Sequence, residues 1–124
     1  MIRIKFCKGY DHALRTATEL LFKQYETTRF IGQHTQGERH ISRTWIESPI
    51  SNRFSLLLSG GRGVEDLLEY WRIHHLDAPI WQNTHYYWSD EVIVPHSTSL
   101  SNYGRAHDIF FRHASIYPGH IHPI

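Results

Sequence analysis

The chain has 124 residues and a formal charge of +1 from 13 basic and 12 acidic side chains. With 40% hydrophobic and 14% aromatic residues, it suits one domain with a core of its own and excludes a disordered chain. The charge balance excludes a basic nucleic-acid binder, apolar runs of about five residues are too short for a bilayer span, and the single Cys7 excludes an internal disulfide.

Residues 2–6, IRIKF, alternate apolar and polar and predict a short strand, with Cys7 at its end as a small core residue. The opening residues hold no apolar core of secretory-signal length, so a cytoplasmic protein is expected. Asp11 can cap a helix over residues 11–25, with Leu14, Ala17, Leu21 and Tyr25 on one face. Residues 26–52 show no period and read as a long irregular connection, with room for a short strand near Arg43–Ile46. FSLLL at 54–58 is a continuous apolar run, which suits a strand buried on both faces. Val64, Leu67, Leu68 and Trp71 follow at i, i+3, i+4 and i+7, the pattern of an amphipathic helix. THYYW at 84–88 predicts another strand. Ser101 or Asn102 can cap a third helix that turns Tyr103, Ala106 and Phe110 inward. HIHPI at 120–124 predicts a last strand. Strands alternating with helices imply an α/β fold: a doubly wound, mostly parallel open sheet with helices on both faces.

In such sheets ligands sit beyond the carboxyl ends of the strands. Two loops leave those ends. In Ser59-Gly60-Gly61-Arg62-Gly63, glycine lets the backbone approach an anion and a helix start adds free N–H groups, with Arg62 as a nearby cation. The same residues also suit a tight turn with no ligand. The loop has neither the G-x-x-x-x-G-K of a nucleoside-triphosphate site nor the third glycine of a dinucleotide fingerprint, which would fall at Asp66. Asp90 and Glu91 leave the next strand. As a carboxylate pair they suit acid–base work or sugar hydroxyls, and they equally suit loop polarity or helix capping. Eleven histidines is a high count. His120 and His122 would share a strand face, but no motif supplies the remaining ligands of a zinc site, and no metal is expected. The absence of a G-x-S-x-G elbow excludes one serine-hydrolase class.

Four segments in register carry a resemblance: FSLLLSGG (Phe54–Gly61), YYWSDEVIVP (Tyr86–Pro95), LSNYGRAHDIFF (Leu100–Phe111) and Ile116–Ile124. They resemble the amino-terminal half of the 6-phosphogluconolactonases, in the glucosamine-6-phosphate isomerase/deaminase superfamily. Ser59-Gly60-Gly61 and Ser101-Asn102 favour the lactonase branch over the deaminases. The resemblance implies hydrolysis of 6-phosphoglucono-lactone to 6-phosphogluconate in the pentose phosphate pathway, with no metal or organic cofactor. It implies that Ser59, Gly60, Gly61 and Arg62 cradle the phosphate or lactone, that Asp90 and Glu91 lie in the cleft, and that Ser101 and Asn102 support the loop or touch substrate.

There are departures. Gly63-Val64 stands where the family has Thr-Pro, and Val92 stands where it has an arginine that binds phosphate. The later motif G-x-G-x-DGH-x-A-S-L-F, with the histidine expected as general base, is absent. Residues 1–124 are therefore expected to be a single truncated domain, about half of the family's. Such a domain would be catalytically incomplete alone and apt to self-associate or to pair with a complementing carboxyl-terminal half. His96 and His107 are the first places to look for a substitute base. The alternatives are a non-catalytic module that binds a sugar phosphate or a partner and, behind it, a nucleotide-binding half-domain.

Overall fold

The computed structural model describes residues 5–35 and 54–124. The elements run α1 (Tyr10–Thr35), β1 (Phe54–Leu58), α2 (Arg62–His74), β2 (Thr84–Trp88), α3 (Asn102–Ala106) and β3 (Ile121–His122). A 3-10 turn at Pro79–Asn83 leads into β2, and another at Pro118–His120 leads into β3. The strands form one sheet in the order β1-β2-β3. Both pairings are parallel, with Phe54 opposite Thr84, Leu58 opposite Trp88, and Tyr86 opposite Ile121. This is the α/β, parallel open sheet that the alternation of strands and helices implies.

Parallel register places Phe54, Leu56 and Leu58 on the same face as Thr84, Tyr86 and Trp88. The described helices gather over that face. From α1, Tyr25 meets Phe54 edge-on at 5.6 Å and Phe22 meets Trp81 at 5.6 Å. From α2, Leu68 and Trp71 are buried, and the Trp71 ring lies 4.8 Å from Trp81. Helix α3 continues into a π-helical turn, His107–Phe111, in which Arg112 N donates to His107 O at 3.0 Å. The wider turn brings two consecutive aromatics inward: Phe110 packs on Trp81 and Phe111 on Tyr86. The other sheet face carries Ser55, Leu57, His85, Tyr87 and His122, and Leu57 is 65% exposed.

Several expectations need correction. Residues 2–4 of the first expected strand lie outside the described residues. Lys5 and Phe6 are not in a strand, Phe6 is fully solvated, and Cys7 is exposed rather than packed in a core. Their alternation finds no partner strand among the described residues. Helix α1 starts before Asp11, which lies in its first turn, and it runs ten residues beyond Tyr25. The part of the expected connection at 26–35 is thus helical. Thr27 and Thr28 are accommodated in it by donating to the carbonyls of Lys23 and Gln24 four residues earlier. The remainder of the connection, with the strand expected near Arg43–Ile46, lies outside the described residues. Ala17 is exposed, and its neighbour Thr18 takes the core position. Strand β1 is covered on one face only, because the described helices pack over the face of Phe54, Leu56 and Leu58 and leave Ser55 and Leu57 exposed.

Candidate functional site

The loop after β1 turns on Gly61. Its φ of +104° lies in the region that side chains disfavour, so any other residue there is strained. Gly61 O accepts from Val64 N and Glu65 N, both at 3.1 Å, which starts α2. No side chain caps this start, so its first N–H groups face outward from the sheet's carboxyl end. Arg62 projects into solvent with its side chain 91% exposed and lies 3.9 Å from Asp66. Ser59 is exposed at the rim.

The loop after β2 begins with Ser89, whose N–H donates to Leu58 O at 2.8 Å and extends the strand pairing. Asp90 and Glu91 then diverge. Glu91 Oε1 accepts from Val92 N (2.8 Å) and Asn102 N (2.7 Å), and Oε2 accepts from Ser101 Oγ and Tyr103 N, both at 2.9 Å. Burial opposes ionisation of this carboxyl. The three backbone donors and the Ser101 hydroxyl outweigh it and hold the group at about 2. Glu91 therefore fastens its own loop to the start of α3 and is fully ionised near neutrality. Ser101 completes the joint: its Oγ accepts from Gly104 N at 2.9 Å, the capping role its position suggested.

Asp90 stays at the surface. Its Oδ1 accepts from Ser89 Oγ at 2.7 Å and its Oδ2 from Asn102 Nδ2 at 3.2 Å, while that nitrogen also donates to Asp90 O at 3.1 Å. The Asn102 carboxamide in turn lies against Gly60, where an added Cβ would collide with it. Gly60, Asp90, Glu91, Ser101 and Asn102 thus meet at the carboxyl ends of β1 and β2, with Gly61 adjacent. Of the rest of the expected set, Arg62 turns away and Ser59 stays at the exposed rim. The result is an oriented, exposed carboxylate beside a carboxamide and a glycine backbone, a donor and acceptor set suited to sugar hydroxyls.

Two supports were missed in the sequence. Arg105 on α3 donates from Nε and Nη2 to the two oxygens of Glu65 on α2, at 3.0 and 2.7 Å. That fork fixes the two helices that follow the two loops, and its hydrogen bonds draw the Glu65 carboxyl below its ordinary value. Tyr10 Oη donates to Asp66 at 2.6 Å, tying α1 to the same end of α2. Neither pairing has a local sequence signal, since the partners lie 40 and 56 residues apart. Beside Glu91 runs an open groove of about 410 Å³, lined by Val92, Ile93, Val94, Pro95, His96 and Ile124. His96 lines it with a ring nitrogen 3.1 Å from Ile124 O, whereas His107 is exposed and 3.6 Å from Asp108.

In α/β proteins built on an open parallel sheet, loops gathered at the carboxyl ends of the strands are where ligands bind. The chain belongs to the family described as glucosamine-6-phosphate isomerases/6-phosphogluconolactonase, whose model matches residues 36–124. It is 41% identical over 80 residues to a 6-phosphogluconolactonase of Haemophilus influenzae, covering 64% of this chain and 34% of that protein. It is 32% identical over 71 residues to 6-phosphogluconolactonase 3, chloroplastic, of Arabidopsis thaliana, covering 57% of this chain and 22% of that protein. The chain therefore spans between a fifth and about a third of the length of these curated relatives. The fold matches the 6-phosphogluconolactonase of Trypanosoma cruzi with a TM-score of 0.71 at 19% identity, over 100% of this chain and 39% of that one. The enzyme of Leishmania guyanensis gives 0.68 at 16% identity, over 98% and 38%.

Proposed function

We propose that this chain forms the loop-bearing half of a 6-phosphogluconolactonase-type site. It binds the sugar-phosphate lactone between the Ser59–Gly61 loop and the Asp90–Asn102 pair, for hydrolysis to 6-phosphogluconate. The observation that carries this reading is the junction at Asn102, which joins Asp90 to Gly60 across the carboxyl ends of β1 and β2. Family membership supports the substrate class. In this reading the Gly60 and Gly61 backbone takes the anion and Asp90 orients the sugar or its attacking water. Glu91 and Ser101 act by holding Asn102 in place. The general base comes from a carboxyl-terminal portion outside these 124 residues, and catalysis takes place in the cytoplasm. Among the described residues no helix is long and apolar enough to cross a membrane.

A second reading is a module that binds the sugar phosphate without catalysis. The full engagement of Glu91 by four donors favours it, since that carboxylate is committed to fastening its own loop to α3. Both readings place the ligand in the same loops. Titration with 6-phosphogluconate, followed by backbone amide shifts, checks that placement. The expected result is a response at Gly60, Gly61, Asp90 and Asn102 that Gly61→Val abolishes. Shifts confined to the histidine-rich carboxyl end would contradict it.

A further inference from the structure

Helix α3 carries a buried glycine in its middle, Gly104, although glycine weakens a helix. A Cβ added there would collide with His96 O, and it would stand 2.9 Å from Thr98 O and 3.3 Å from His96 C. All three are backbone atoms, so rotating a side chain cannot relieve the obstruction. Residues 96–98, the far limb of the loop after β2, therefore lie directly on the α3 backbone. Thr98 Oγ1 is buried as well.

This limb is tied to the candidate site. Thr98 N donates to Pro95 O at 3.0 Å, and Ser101 N donates to Thr98 O at 3.2 Å. Ser101 caps α3 by accepting from Gly104 N and donates its hydroxyl proton to Glu91. The next two amides, Asn102 N and Tyr103 N, donate to the same carboxylate. The Asn102 carboxamide reaches Asp90 and lies against Gly60. A movement of residues 96–98 is thus passed to Asn102 through Ser101.

We propose that Gly104 is a positioning residue of the candidate site. Its bare backbone lets the 96–98 limb settle on α3, and the settled limb fixes Ser101 and holds Asn102 between Asp90 and Gly60. Gly104 touches no ligand and acts through Ser101 and Asn102. Its consequence for the ligand rests on the proposed sugar-phosphate binding, whereas its placement of Asn102 does not. Two effects oppose each other in Gly104→Ala. Alanine is the better helix former, so a glycine without this role predicts a firmer start to α3 in the variant. The collision predicts a looser one, and it wins because close-packed backbone can yield only by moving the loop.

Hydrogen exchange on the 124-residue chain separates the two. In Gly104→Ala, protection of the Asn102 and Tyr103 amides should fall at least about tenfold, while the β1–β2 amides change less than about threefold. One glycine inserted after Ser99, an exposed position, frees the limb to rise without dragging Ser101. In the combined variant, Asn102 and Tyr103 protection should return to within about threefold of the unmodified chain. A helix that was merely destabilised gains nothing from that insertion. Affinity for 6-phosphogluconate should fall at least about tenfold in Gly104→Ala and recover with the insertion. An unmodified chain that does not bind 6-phosphogluconate would contradict the sugar-phosphate reading, and the exchange results would still decide on Gly104. Should Gly104→Ala alone fail to fold, the combined variant decides: a folded chain supports the proposal and an unfolded one overturns it. Unchanged or raised protection at Asn102 and Tyr103 in Gly104→Ala would also overturn it. So would a loss of protection that the insertion leaves in place.

Discussion

The Glu91 carboxylate accepts from four donors, and those bonds are strongest while it is ionised. A carboxyl held below its ordinary value contributes stability that is fully present above the unfolded value, 4.5, and is lost as pH falls toward about 2. Glu65, lowered by its fork with Arg105, has the same sign. The chain should therefore melt at progressively lower temperature as acid enters that window. Glu91→Gln should cost about 1–3 kcal/mol near neutrality, since one carboxamide cannot serve four donors. It should also flatten part of the acid branch, leaving the share that belongs to Glu65. Melting curves collected across the window check both, and superimposable acid branches for the two proteins would contradict the account. The same side chain shows the limit of reading a motif. The Asp-Glu pair was legible as chemistry in the sequence, but the division of labour was not. Which carboxylate stays exposed depends on where the N–H groups of residues 102 and 103 arrive, and α3 sets that from eleven and twelve positions away.

At the level of the elements, β1 and β2 fall on the runs FSLLL and THYYW, and α2 carries the apolar stripe expected of Val64, Leu67, Leu68 and Trp71. Composition and period sufficed there because the apolar period of those runs coincides with the face that is buried. Helix α1 was misread where a polar contact decides its facing. Thr18 is 2% exposed, donates to Leu14 O at 2.8 Å, and accepts from the Trp71 indole at 2.9 Å. A buried indole N–H needs an acceptor, so the core position falls to a threonine that hydropathy assigns to solvent. Thr18→Val keeps the shape and removes the acceptor. It should destabilise the chain by about 1–3 kcal/mol, whereas Ala17→Ser on the exposed side should change stability by less than about 0.5 kcal/mol. Chemical denaturation of the two variants checks this, and equal effects would refute the assigned facing. The π-helical turn that seats Phe110 and Phe111 was also hidden, because no local sequence signal marks the extra residue that its wider turn takes in.

On the scale of the whole molecule, one sheet face is sealed by helices and the other presents Leu57 and Tyr87 to solvent beside the stacked rings of His85 and His122. The two loops of the candidate site lie at the carboxyl ends of β1 and β2, braced by Glu65–Arg105 and Glu91–Ser101. The central claim is that these loops bind the sugar-phosphate lactone and that the base acts from elsewhere. General-base help to water contributes about 10²–10⁴-fold in rate. The most direct measurement is the disappearance of 6-phosphogluconolactone against a buffer control, first with the 124-residue chain alone and then with the family's carboxyl-terminal half added as a second chain. The account predicts little or no rate above the spontaneous reaction for the lone chain, a substantial rate on complementation, and a loss of that rate in Asp90→Asn. Robust turnover by the lone chain, or a complemented rate indifferent to Asp90→Asn, would contradict it.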